Sequence, residues 1–171
     1  VRWNNPNSEG ERDTSGSTIW GSVTPDANTF TIGNSTTGYN NGGANDVVAY
    51  VFAEKKGYSK FGSYIGNGQS TDGTFIYLGF RPRLFMMFLV SSGSLHLWFW
   101  YDSKRGDGKQ PINPEVYFSG QSYDAESAFE FGDFVSNGIK IRNSNSARNV
   151  AGGEFIYMAF AENPFKYSNA R

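Results

Sequence analysis

Leu84-Phe85-Met86-Met87-Phe88-Leu89-Val90, then Ser91-Ser92-Gly93-Ser94, then Leu95-His96-Leu97-Trp98-Phe99-Trp100-Tyr101, is the stretch on which the fold turns. Two nearly unbroken apolar runs are separated by four small residues, the length of an antiparallel connection, so the stretch predicts a β-hairpin. Successive side chains of a strand point to opposite faces. Leu84, Met86, Phe88 and Val90 therefore share one face, and Phe85, Met87 and Leu89 the other. Both faces are apolar, whereas one sheet of a sandwich buries only its inner side. The second face needs cover from a loop, another layer or a second subunit. Phe85, Met87 and Leu89, with His96, Trp98 and Trp100 across the turn, are the candidate interface residues.

Outward from this hairpin the chain repeats the same grammar. Short runs rich in Val, Ile, Phe, Tyr and Thr are bounded by clusters of Gly, Asn, Ser and Asp, the pattern of strands joined by turns. The candidates are Thr29–Gly33, Asp46–Glu54, Tyr58–Tyr64, Thr74–Phe80, Leu84–Val90, Leu95–Tyr101, Glu115–Phe118, Phe129–Phe131, Gly138–Arg142 and Glu154–Glu162. No segment carries apolar residues at helical spacing between two caps. The expected fold class is all-β, an antiparallel β-sandwich or jelly-roll-like domain.

Residues 1–18 are polar and lack alternation, which predicts an arm or linker anchored by Trp3. Beyond it the sequence suggests a partial internal repeat. Val48-Ala49-Tyr50-Val51-Phe52-Ala53-Glu54 aligns with Ile156-Tyr157-Met158-Ala159-Phe160-Ala161-Glu162, Asn34-Ser35 with Asn143-Ser144, and Tyr58-Ser59 with Tyr167-Ser168. Residues 19–64 are then the C-terminal part of a first repeat and residues 65–171 a second, packed together as one β domain. On that reading the chain starts midway through a copy and is part of a longer polypeptide.

The 171 residues include 21 Gly, 15 Phe, 10 Tyr and 4 Trp but no Cys and one His, with a formal net charge of −1. Disulfides and Cys-ligated zinc are excluded, and the usual His-rich metal sites lack ligands. The balanced charge gives little support to a nucleic-acid or anionic-membrane partner. No apolar run reaches the ~18 residues of a spanning helix, so membrane insertion is not expected. His96, the one candidate base for a nucleophilic triad, lies among Leu residues and reads as a core or interface histidine. Carboxylate pairs such as Asp102 with Asp107, or Asp124 with Glu126, are what sixteen acids in one domain generate by accident. The expectation is no catalytic residue, no cofactor and no metal.

Aromatic rings interleaved with Asn, Gln, Ser and Asp also suit sugar-binding surfaces, where rings stack on C–H faces and polar groups bond hydroxyls. Tyr58, Tyr64, Tyr117 and Tyr123 lie in or beside predicted loops and are the candidate glycan contacts. A Tyr at a strand end is equally served by burying its ring and keeping its hydroxyl wet.

Several words of the sequence carry a resemblance. They are Tyr50-Val51-Phe52-Ala53-Glu54, Gly57-Tyr58-Ser59-Lys60-Phe61-Gly62-Ser63-Tyr64-Ile65-Gly66-Asn67-Gly68, Gly79-Phe80-Arg81-Pro82, Tyr101-Asp102-Ser103-Lys104-Arg105, Ser136-Asn137-Gly138-Ile139-Lys140-Ile141-Arg142 and Ile156-Tyr157-Met158-Ala159-Phe160-Ala161-Glu162-Asn163-Pro164-Phe165. In this order, over about residues 28–171, the chain resembles an uncharacterised domain of virion proteins of marine tailed phages, among them appendage and tail-fibre-like proteins. It departs from that pattern after Arg81-Pro82, where charged residues give way to the apolar Leu84–Val90 run. The resemblance implies a structural virion protein, a β-rich appendage or tail-fibre module with no established activity. With the surplus apolar surface it implies a homo-oligomer, a trimer favoured, among other virion proteins, with host-surface glycan as a further contact. A lectin-like carbohydrate-binding domain and a capsid decoration protein are the alternatives.

Overall fold

The computed structural model describes residues 26–29, 50–90, 98–104, 115–119, 122–127 and 130–164; at Trp98, 115–119 and 122–127 the description is of the backbone. Among these residues nine strands and one short helix follow each other as β1 (Ser59–Ile65), β2 (Phe75–Tyr77), β3 (Pro82–Leu89), β4 (Trp98–Asp102), β5 (Glu115–Ser119), β6 (Ser122–Ser127), β7 (Gly132–Val135), β8 (Gly138–Ile141), α1 (Ser146–Asn149) and β9 (Glu154–Ala161). They build a six-stranded sheet in the order β1-β9-β3-β4-β5-β6 and a three-stranded sheet in the order β2-β8-β7. Every pairing is antiparallel. The protein is an all-β sandwich, as the alternating runs and turn clusters predict.

The deciding hairpin forms as read. β3 and β4 pair from Leu84↔Asp102 to Phe88↔Trp98, a register symmetric about position 93. Its turn lies outside the described residues. β9 then packs on the other side of β3, with Phe85 opposite Ala159 and Met87 opposite Tyr157. β3 is thus a central strand, which is why its backbone tolerates an apolar residue at nearly every position.

The core lies between the sheets. The large sheet contributes Tyr64, Phe85, Met87, Leu89, Phe99, Tyr101, Phe155 and Tyr157; the small sheet and its flanks contribute Ile76, Leu78, Phe131, Phe134, Ile139 and Ile141. Its centre is a run of four rings. Tyr101 stacks on Phe131 at 4.0 Å between centroids, Phe131 on Phe85 at 5.6 Å and Phe85 on Tyr157 at 5.6 Å. Gly62 makes room for the last ring, since a Cβ there would stand 2.9 Å from the Tyr157 hydroxyl.

Tyr64 closes one end of the core, stacked on Phe155 at 4.8 Å with its hydroxyl donating to the Arg148 carbonyl at 2.8 Å. Burial lifts this phenol well above the ordinary tyrosine value near 10. The unfolded chain then loses the proton more readily than the native one. The stabilisation is complete below the ordinary tyrosine pKa and is lost as pH rises above it toward the native value. Tyr64→Phe is expected to cost about 1–2 kcal/mol near neutrality, by leaving a buried carbonyl unpaired. In denaturant titrations the variant loses less stability between neutral and strongly alkaline pH than the parent. Equal alkaline losses in the two proteins would show that Tyr64 does not carry this sensitivity.

Some expectations need correction. The described part of the Asp46–Glu54 strand, residues 50–54, is exposed and belongs to no sheet, whereas its supposed counterpart, β9, is a central strand. The chain at 53–55 meets the β1 edge through the Ser59 hydroxyl on the Ala53 carbonyl, 2.8 Å, and a single Lys55↔Ser59 bridge. An apolar run becomes a strand only where a ladder partner accepts it, so this pair of segments gives no structural support to the repeat. β1, which falls almost wholly in residues 19–64, pairs along its length with β9 of residues 65–171. The strand expected at Phe129–Phe131 begins only at Gly132, and β6 and α1 stand where the sequence pattern predicts no element. Thr29, the start of another expected strand, is held in a turn by the Asp26 carboxylate, which accepts from its backbone N–H at 2.7 Å; positions 30–33 lie outside the described residues.

Candidate functional site

Two surfaces of the sandwich stand out, one on each sheet. On the large sheet an apolar patch faces away from the core, with Ser63, Glu154 and Asp102 at its margins. Phe61, Met158, Met86 and Trp100 form one row across β1, β9, β3 and β4, and Phe160 stands opposite Leu84 in the next. All six are half-buried. Phe160 meets Phe61 and Tyr58 edge-on, at 6.1 and 6.2 Å between centroids. Phe88 is buried although it stands apart from the core cluster, so part of this face is already covered within the chain.

The candidate interface residues divide accordingly. Phe85, Met87 and Leu89 point into the core and cannot meet a partner. The outward side of β3 is the other one, Leu84, Met86 and Phe88, of which Phe88 is itself buried. Alternation identifies two apolar faces but does not say which is inner; the buried Phe155, Tyr157 and Ala159 of β9 decide that. Trp100 lies on the outer face, opposite Met86 and apart from Phe85, Met87 and Leu89. His96 lies outside the described residues, as does the Trp98 side chain.

At one end of β3, β4 and β9 an ion network ties the sheets together. Glu162 takes Arg81 at 2.8 Å and Lys104 at 3.1 Å, while Arg83 pairs with Asp102 at 3.0 Å. Arg81 also donates to the Phe134 carbonyl of β7 in the small sheet. Burial pushes the Glu162 carboxyl up, but Lys104 and Arg81 outweigh it and hold the group below its ordinary value. The carboxylate is satisfied by these cations, so the cluster reads as structural. Among the described residues no three His, Cys, Asp or Glu side chains gather as a metal site, and no helix is long and apolar enough to cross a membrane.

The second surface lies on the small sheet. Phe75 and Tyr77 of β2 point outward at 45% and 60% exposure, with Ile76 buried between them. Their neighbours across β8 and β7 are Lys140, Gly138 and Asp133. The Lys140 ammonium pairs with Asp72 at 2.6 Å, and Arg142 pairs with Asp133 at 2.7 Å. Sequence reasoning passed over these two rings because Thr74–Phe80 reads as an ordinary half-buried strand. The signal available was Gly138, which a β partner strand does not otherwise favour.

The candidate glycan tyrosines are elsewhere. Tyr64 is buried with its hydroxyl bonded to backbone, so it cannot touch a sugar. Tyr58 is exposed beside Phe160, on the side of the large sheet. The side chains of Tyr117 and Tyr123 lie outside the description; their strands, β5 and β6, end the large sheet.

A family model described as a domain of unknown function, DUF7483, matches residues 5–164. The chain belongs to this family. The matched span contains every described strand, so the two-sheet sandwich is the architecture of a DUF7483 domain. No curated protein and no solved structure matches the chain. The function of this DUF7483 sandwich is therefore to be sought in the arrangement of its own side chains.

Proposed function

We propose that the chain is a structural module of a tailed-phage virion appendage, joined to copies of itself through the outer face of its six-stranded sheet. The observation that carries assembly is the half-buried apolar set Phe61, Leu84, Met86, Trp100, Met158 and Phe160. The exposed side of a sandwich sheet is ordinarily polar, and a charge-depleted aromatic and Met-rich patch is the composition of an interface core. The virion placement is supported by the sequence words shared with marine phage appendage proteins. A trimer is the favoured state, as in a fibre, and no catalytic role is proposed.

Light scattering of the full chain reads the assembly directly. The parent is expected to run as a stable oligomer, and Met86→Lys, which places a charge at the centre of the patch, as a folded monomer. A parent that is monomeric at every concentration overturns the assembly. Gold-labelled antibody against the chain, viewed on intact particles, is expected to mark an appendage. Label on the capsid shell would favour a decoration protein, and absence from particles would end the virion reading.

A further inference from the structure

β2 has three residues and spends two of them on exposed aromatic rings. Phe75 and Tyr77 alternate outward, about 6.6 Å apart along the strand. The strand opposite puts Lys140 across from Phe75 but no side chain across from Tyr77, which faces Gly138, and the Phe75 ring tip lies 3.2 Å from where a Cβ on Gly138 would stand. That Cβ would also lie 2.1 Å from the Ile76 carbonyl oxygen, so only glycine fits between the strand and the ring. The free edge of β2 is closed to another strand, because the Lys60 ammonium donates to the Tyr77 carbonyl at 2.9 Å and sits 5.2 Å from its ring centre. The surface on offer is therefore the rings themselves, not backbone.

Around the rings stand charged groups held in place by each other. Asp72, its side chain 90% exposed, is paired with Lys140, the register partner of Phe75; Asp133 is paired with Arg142, which also donates to the Thr71 carbonyl at 2.8 Å. Lys60, Lys140 and Arg142 set against Asp72 and Asp133 leave no strong preference for either sign of ligand. A protein interface needs a dry apolar centre and roughly 800 Å² a side, which two rings among five charges do not provide. A pyranose fits the mosaic: its axial C–H face packs on a ring, and its equatorial hydroxyls both donate to carboxylates and accept from ammonium and guanidinium groups.

We propose that Phe75 and Tyr77, flanked by Asp72, Asp133 and Lys140, form a platform that binds neutral pyranose units of a polysaccharide. The platform lies on the small sheet, away from the face assigned to assembly, and stands or falls independently of it. Affinity electrophoresis of the full chain through gels containing dextran, laminarin or galactomannan tests it. The parent is expected to be retarded by at least one of the three. F75A/Y77A weakens that retardation by at least about tenfold, the loss of roughly one good aromatic contact. F75L/Y77L, which keeps apolar bulk and removes the flat rings, shows the same loss with an unchanged melting temperature. No retardation of the parent in any gel overturns the proposal, as does retardation of both variants equal to the parent's.

Discussion

Phe131→Ala is expected to lower the unfolding free energy by about 3–5 kcal/mol, the range for removing a large buried ring. Phe131 is fully buried and precedes β7. It fills the space between Tyr101 of the large sheet, 4.0 Å away and nearly parallel at 12°, and Phe85, which in turn leans on Tyr157. Its backbone carbonyl is taken by the Arg142 N–H at 2.8 Å, so the chain cannot slide inward to close the void. Truncation thus removes the Phe131 ring's contacts with both Tyr101 and Phe85 and leaves a cavity between the sheets. For a chain of this length the loss corresponds to a fall in melting temperature of about 6–20 °C. Thermal and urea unfolding followed by near-ultraviolet circular dichroism measure it. A cost under about 1 kcal/mol would mean that the four-ring run is not what joins the sheets. Phe131→Leu, which refills most of the volume, is expected to recover more than half of the loss.

That ring run explains which parts of the fold were legible in the sequence. The long apolar strands β3 and β9 announce themselves because a central strand is apolar on both sides, and β1, β4, β5 and β8 follow from turn residues around them. Which side of β3 faces inward is not local information. Leu84-Phe85-Met86-Met87-Phe88 reads equally well in either orientation, and the choice depends on register with β9 and on the rings of the small sheet. The same limit applies at residues 50–54, where Tyr50-Val51-Phe52 has strand composition without a ladder to join. β6, Ser122–Ser127, failed in the opposite direction: its sequence is polar, and it exists as a strand because β5 offers it an edge. The small-sheet platform was hidden for a further reason. The candidate glycan tyrosines stand out in the sequence as residues in or beside loops, whereas Phe75 and Tyr77 lie in a strand next to Gly138, which is distant in sequence and has no side chain to cover Tyr77.

The loop that carries Asp72 to that platform hangs on one side chain, and removing it yields the second large effect. Asn149, the last residue of α1, is fully buried and bonded at every position it has. Its Oδ1 accepts from the Asn67 N–H at 3.0 Å, and its Nδ2 donates to the Gln69 carbonyl at 3.0 Å and the Asn143 carbonyl at 2.8 Å. Asn67 passes the constraint on by donating from Nδ2 to the Asp72 carbonyl at 2.7 Å. Asn149→Leu keeps the volume but strands the Asn67 N–H and the Gln69 and Asn143 carbonyls, all part-buried, at up to about 1–3 kcal/mol each when left unpaired. Because water can reach parts of a relaxed loop, the expected total is about 3–5 kcal/mol, measured by urea unfolding. Asn149→Asp keeps the acceptor and replaces donation to two carbonyls with repulsion, so it is expected to cost nearly as much at neutral pH. The cost shrinks on acidification, since a protonated carboxyl can donate to one of the two carbonyls. A structural role alone predicts only these stability losses. If the platform binds sugar with the help of Asp72, Asn149→Leu in a folded sample also weakens retardation in the polysaccharide gels, to about the level of Asp72→Ala. Unchanged retardation with the expected instability would leave Asn149 as a core residue and remove Asp72 from the binding surface.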